Sequence, residues 1–308
     1  MILAFHLGYP RTGTTFLQTH LFPKHKQINY LGPKVYDDTF KVKIDQSMLN
    51  IIEEENTSCD FSLNLFDEKK VNLVSSERYL SYRKFNYVGL KKLAYLVKNY
   101  FPNSKFKVFY TIRNQFDMIQ SYYYQSYGYL SRFLDCRNFI DLIEKIEKRD
   151  FKNQNFKRFI QAFNFDYSYN LIYKEFDFAE IKIFSFKELT ENKNNYIKNL
   201  SNFIEISDEE SIRLCSKISK INSNTIVDKK RIMQSNLQRI ISDNSYYKKI
   251  KHLIPKKIVN FTNSLLNKTI SSKIDSDLEI AMRKTINDYY NESNQNFRKK
   301  AGVNIFDE

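Results

Sequence analysis

The first twenty residues constrain the fold more than any other stretch of the chain. Ile2 to Leu7 is a short run of apolar residues holding one histidine, His6, without the polar alternation of a half-exposed strand. Such a run is expected of a parallel strand buried on both faces. Gly8-Tyr9-Pro10-Arg11-Thr12-Gly13-Thr14-Thr15 follows, and Thr14 to Phe22 reads as helix. Strand, glycine-containing loop and helix in this order form the setting of a phosphate-binding loop, whose pattern is G-x-x-x-x-G-K-[ST]. Gly8, Gly13 and Thr15 keep that register, but Thr14 stands where the lysine belongs, and the nearest cation, Arg11, lies three residues earlier. Thr14 cannot reach the β- and γ-phosphates of ATP as a P-loop lysine does. The loop instead suits one phosphate, held by the backbone amides of Gly13, Thr14 and Thr15 and by the two threonine hydroxyls, with Arg11 reaching beyond it.

Further along, Asn29 to Leu31, Lys70 to Ser75, Phe106 to Ile112 and Glu180 to Phe186 read as strands. Helical spacing covers 41–55, 84–100, 116–129, two or three segments within 138–175, and 193–203, and from Asp208 the signal is mainly helical to Lys300. Strands separated by helices predict βαβ units and hence an α/β fold: a P-loop-like parallel sheet flanked by helices. Neither an internal repeat nor a linker interrupts the chain, so residues 1–308 are expected to form a single domain, with a helical C-terminal portion from about 207. Ligands bind beyond the carboxyl ends of the strands in such sheets. Three chemically loaded segments fall there: the loop, Ser75-Ser76-Glu77, and Arg113.

The loop resembles that of the sulfotransferase family, enzymes that use 3′-phosphoadenosine 5′-phosphosulfate. The family's loop has the form P-[KR]-[ST]-G-[ST]-[ST], and Pro10-Arg11-Thr12-Gly13-Thr14-Thr15 matches it at every position. Its second motif is an arginine at a strand end, followed eight residues later by a serine on a helix. Arg113 and Ser121 in YTIRNQFDMIQS have that spacing. The resemblance covers roughly residues 1 to 206, and extends to the tail near Asn291 to Asn294. The late glycine-rich lysine motif of the animal cytosolic enzymes is missing, and Asn222, Ser223, Lys229, Lys230 and Arg231 are candidates to replace it by charge and position.

The resemblance implies that Arg113 and Ser121 bind the donor's 3′-phosphate, and that Arg11 stabilises charge on the leaving side as a sulfuryl group passes in line to an acceptor. It implies a base as well. Glu77 is the leading candidate, as in glycan-directed and bacterial members of the family. The competing reading is that Ser75 or Ser76 caps a helix whose first turn Glu77 favours. Phe16 has two readings, stacking on adenine as in the animal enzymes or packing in the core. Tyrosines 122, 123, 124, 127 and 129 are expected either to line an acceptor cleft or to pack inside. None of His6, His20, His25 and His252 carries a pattern that marks a base.

The acceptor expected by analogy is a saccharide or glycolipid, neutral or anionic. Neither a metal nor nucleic acid is expected as a partner. A net charge of +14 fits an anionic partner, although a lysine- and asparagine-rich composition of the kind an AT-rich genome imposes accounts for it equally. Two rivals remain at this point: a small-molecule P-loop kinase, and a basic nucleic-acid-binding protein without catalysis. Three scattered cysteines, Cys59, Cys136 and Cys215, argue against a disulfide framework or a zinc site. Lacking a signal-peptide pattern or an 18-residue apolar run, the chain is expected to be cytoplasmic.

Overall fold

A computed structural model describes residues 1–32, 66–81, 87–218, 230–234, 267–271 and 276–302. The expected helix at 41–55, the start of the one at 84–100, Cys59, His252, and Asn222, Ser223 and Lys229 lie outside the described residues. The described chain divides into two compact units. The first comprises 1–114, 158–223 and 290–308; the second comprises 115–157 and 224–289.

The first unit is built on a five-stranded sheet. Its strands are β1 (Ile2–His6), β2 (Ile28–Tyr30), β3 (Val71–Ser75), β4 (Lys105–Ile112) and β5 (Glu180–Ser185), in the order β2-β3-β1-β4-β5. All four pairings are parallel, with His6 opposite both Ser75 and Phe109. The sheet is therefore the parallel α/β sheet that the alternation of strand and helix patterns predicts. Helices α1 (Thr14–His20), α2 (Arg78–Ser81) and α3 (Val88–Tyr100) accompany the first strands. On the face carrying Ala4, Leu73, Phe109 and Phe184, the core gathers Phe16, Leu17 and Phe22 together with Leu200 and Phe203. On the opposite face Phe5 meets Phe176, with ring centroids 6.4 Å apart. Side chains alternate across the pleat, so a central strand must be apolar on both faces to bury both layers.

Five helices of the chain's middle follow: α4 (Gln115–Gln125), α5 (Tyr127–Phe133), α6 (Phe139–Glu147), α7 (Gln154–Ala162) and α8 (Phe165–Glu175). The expected helix at 116–129 is two helices. It breaks at Ser126, whose φ of −110° and ψ of 20° leave the helical region. The strand expected to run through Phe186 stops at Ser185, which caps the next helix, α9 (Phe186–Glu191), by accepting from the Lys187 N–H at 3.2 Å. Helices α10 (Lys193–Ile204) and α11 (Asp208–Ser216) complete this part of the first unit, and α12 (Ser276–Ala301) ends the described chain.

The C-terminal portion is helical at α11 and α12 but also contains an antiparallel pair, β6 (Lys230–Gln234) and β7 (Asn267–Ser271), in the second unit. The helical reading of this region did not foresee it. Five-residue strands of polar composition give little periodic signal, and their pairing joins segments over thirty residues apart. Also in the second unit, Arg283 pairs with Asp117 at 2.7 Å and lies over the Phe116 ring at 4.4 Å, tying α12 to the start of α4. Among the described residues no helix is long and apolar enough to cross a membrane.

Candidate active site

The carboxyl ends of β1, β3 and β4 are adjacent in the sheet, and each delivers one of the predicted segments. From β1 the chain enters the loop Gly8–Thr15. Two of its residues are in the left-handed region, Arg11 at φ 70° and Gly13 at φ 83°. Glycine at 13 answers a second demand as well. A Cβ there would sit 2.6 Å from Leu189 and 3.3 Å from Phe186, both on α9. At Gly8 a Cβ would meet the Thr14 hydroxyl at 2.7 Å. The loop is thus a tight fold of backbone over α9, the form in which successive N–H groups make an anion-binding concavity. The first amides of α1 add to it, since they have no partner inside the helix.

Within the loop, the Thr12 hydroxyl donates to the Tyr9 carbonyl at 2.7 Å, and the Thr14 hydroxyl lies 3.4 Å from the same oxygen. Thr12 and Thr14 are buried, whereas Thr15 is exposed. Pro10 is buried and Arg11 half-buried. Phe16 is 2% exposed and packs in the core with Leu17 and Phe22.

Glu77 follows β3 and is half-buried. Burial raises its carboxyl from 4.5 to about 7, against the opposing pull of a hydrogen bond from the Thr14 side chain and the charge of Arg11. Burial in turn draws the Arg11 guanidinium below its ordinary value, while the charge of Glu77 holds it up. Arg11, Thr14 and Glu77 are therefore one electrostatic group, assembled from the loop after β1, the start of α1 and the turn after β3. A carboxyl at about 7 is matched to proton transfer near neutral pH.

Arg113, at the end of β4, reaches the loop from the other side. Its Nη1 donates to the Arg11 carbonyl at 3.5 Å, and its guanidinium lies 5.0 Å from the centroid of the Phe186 ring. Ser121 is half-buried on α4 in the second unit. Phe186 and Leu189, which floor the loop at Gly13, with Phe186 also under the Arg113 guanidinium, were not singled out by the sequence. Their only signal is indirect: a glycine at position 13 implies that something presses on the place of its missing side chain.

Of the tyrosines in the 122–129 cluster, Tyr123 is fully buried and donates to the Cys136 carbonyl at 3.0 Å. Tyr122, Tyr124, Tyr127 and Tyr129 are half-buried.

A family model described as a sulfotransferase domain matches residues 4–290. No curated protein sequence matches the chain. Among solved structures, the chain is similar to a sulfotransferase from Alicyclobacillus acidocaldarius at 12% identity and a TM-score of 0.48, over 97% of this chain and 96% of that one. A match that runs from the first strand into the last helix, through the loop, Glu77 and Arg113, carries the assignment: the chain belongs to the sulfotransferase family.

Proposed function

We propose that this transferase moves a sulfuryl group from 3′-phosphoadenosine 5′-phosphosulfate to a hydroxyl or amine of a saccharide or glycolipid, with Glu77 as general base. The observation that carries the reading is the grouping of Glu77, Thr14 and Arg11 at the mouth of the phosphate loop, with a carboxyl at about 7. Glu77 takes the acceptor's proton as the acceptor oxygen or nitrogen attacks sulfur. The bond between sulfur and the bridging phosphate oxygen breaks, and its electron pair stays on the departing adenosine bisphosphate. Arg11 stabilises the charge that grows on that oxygen, the role of fixed cations in phosphoryl transfer. The loop amides and the Thr15 hydroxyl hold the 5′-phosphate. Arg113 takes the 3′-phosphate, which its rigid fork of donors suits, and the sequence motif gives Ser121 the same task.

The saccharide or glycolipid acceptor rests on the glutamate base, the pattern of the glycan-directed branch. The proposal sets the reaction in the cytoplasm and gives it no metal. It is tested by calorimetry with adenosine 3′,5′-bisphosphate, 5′-AMP and ATP, followed by a radiolabelled-donor screen over sugars and glycolipids. The bisphosphate is expected to bind at least about tenfold more tightly than 5′-AMP, the value of one good charged hydrogen bond. Equal affinity would remove the 3′-phosphate pocket.

A further inference from the structure

Beneath the loop lies a second polar group that the transfer chemistry does not use. His6, the last residue of β1, is 1% exposed; Ser75, the last of β3, is 0% exposed; Gln18, on α1, is 8% exposed. All three converge on one hydroxyl. His6 Nδ1 lies 2.7 Å from Ser75 Oγ, and Gln18 Nε2 donates to the same oxygen at 2.9 Å and to the Ser75 carbonyl at 3.2 Å. The backbone adds a fourth link, the Ser76 N–H donating to the His6 carbonyl at 3.0 Å.

Two features set this cluster apart from ordinary core packing. The imidazole is stacked on Phe109 with centroids 4.8 Å apart and edge-on to Phe22 at 5.7 Å, an environment that an apolar side chain would fill at lower cost. Among the described residues its Nε2 has no partner, so the ring is buried for the sake of its bond to Ser75. The cluster also brackets the loop. His6 stands two residues before Gly8 and Gln18 three after Thr15, and both hold the residue two before Glu77. Burial depresses the imidazole to about 3, so it stays neutral and its bonding does not change across the working pH range.

We propose that His6, Gln18 and Ser75 form a positioning triad that fixes the base-bearing turn to both ends of the donor loop, and so sets the place of Glu77 relative to Arg11. The inference rests on the reading of Glu77 as the base. The triad touches neither substrate. Its loss disturbs the alignment of donor and acceptor, and a misplacement of about 1 Å costs on the order of 100-fold in rate. Glu77 itself feels the Thr14 hydroxyl and the charge of Arg11, both from the loop side.

The test uses the full-length protein with Ser75→Ala, which removes the shared hydroxyl, and Gln18→Met, which removes one arm at nearly constant volume. Ser75→Ala is expected to lower kcat roughly 10- to 100-fold while the affinity for adenosine 3′,5′-bisphosphate changes less than about threefold. Gln18→Met is expected to do the same more mildly. The Glu77 carboxyl, followed by carbon-13 NMR in nucleotide-free protein, is expected to titrate at least one pH unit lower in both variants, as the loosened turn admits water. His6→Asn, which keeps a polar atom near the Nδ1 position, is expected to retain more activity than His6→Phe. If kcat and the Glu77 titration stay within twofold and 0.3 pH unit of the parent in whichever variants fold, the triad is core packing and the proposal fails. The NMR titration separates this failure from that of the base assignment. An active Glu77→Gln enzyme removes the base, whereas the response of the Glu77 carboxyl to Ser75→Ala reports on the triad alone.

Discussion

Glu77→Gln should separate stability from activity, and its effect should depend on pH. In the folded protein the carboxyl titrates at about 7 against an ordinary 4.5. Between those values the folded state binds a proton that the unfolded state has lost, so stability falls as pH rises through the window and levels off above it. At about 1.4 kcal/mol for each tenfold step in acidity, ionised Glu77 costs the fold up to roughly 3 kcal/mol at pH 8. Glutamine resembles the protonated acid, because its amide oxygen still accepts from the Thr14 hydroxyl, and it carries no charge to desolvate. Equilibrium chemical unfolding is therefore expected to show the variant more stable by up to about 3 kcal/mol at pH 8 and by less than about 1 kcal/mol at pH 5. The same substitution is expected to lower kcat about 10²–10⁴-fold, the contribution of a general base. In the parent, kcat/KM, which reports the free enzyme, should climb about tenfold per pH unit below neutrality and flatten above about 7. A stability gain of equal size at both pH values would mean that packing, not charge, is responsible. A variant retaining more than about a tenth of the parent's kcat would show that Glu77 does not take the proton.

Four further outcomes are expected. Arg11→Ala should lower kcat by up to ~10³–10⁵-fold, as loss of an arginine does in phosphoryl transfer, with Arg11→Lys milder; single-turnover assays with radiolabelled donor measure both. Arg113→Ala should abolish the preference for adenosine 3′,5′-bisphosphate over 5′-AMP in calorimetry, and Ser121→Ala should reduce it, while binding of 5′-AMP stays near parental. Gly13→Ala meets both a left-handed backbone and the Leu189 side chain 2.6 Å away; a loss of about 2–4 kcal/mol in stability, with nucleotide binding lost alongside, is expected from unfolding curves and calorimetry. Tyr110→Phe removes a buried hydroxyl that has no partner among the described residues, and thermal unfolding should show it no less stable than the parent, and more stable by about 1 kcal/mol if the penalty for an orphaned donor is recovered.

What was legible in the sequence follows from the range of the interactions involved. The β1–loop–α1 unit reads correctly because twenty consecutive residues carry all its determinants: a buried strand, two glycines and a helix start. The meeting of Arg11, Glu77 and Arg113 was legible one step less directly. Once β1, β3 and β4 are parallel neighbours, their carboxyl ends share an edge, and residues 7, 76 and 113 arrive there together. Less came through where the outcome depends on partners far along the chain. The break at Ser126 trades a continued helix for a restart ahead of Gly128, a choice that local propensity barely weights. The pairing of β6 with β7 is invisible without knowing that 230–234 and 267–271 meet. The brace under the loop was missed for the same reason: Phe186 and Leu189 look like any apolar pair three apart on a helix, until Gly13 is found lying on them.

The displaced cation of the loop has a structural logic that joins these points. In a P-loop the lysine sits at the helix start and extends over the phosphates. Here that position is Thr14, buried, its hydroxyl bonded to Glu77 and 3.4 Å from the Tyr9 carbonyl, so it links Glu77 to the loop instead of extending over a terminal phosphate. The cation has moved to residue 11, where the backbone takes a left-handed turn that an arginine adopts at a cost of about 1–2 kcal/mol. That strained peptide directs its carbonyl to the Arg113 guanidinium. One residue thus serves in two ways, its side chain facing Glu77 and its carbonyl receiving the second arginine. The two cations are coupled through a single peptide group, and a change at Arg113 must be felt at Arg11. Arg113→Ala should therefore lower kcat as well as relax nucleotide selectivity, whereas a residue that only grips the 3′-phosphate would weaken binding and leave the chemical step alone.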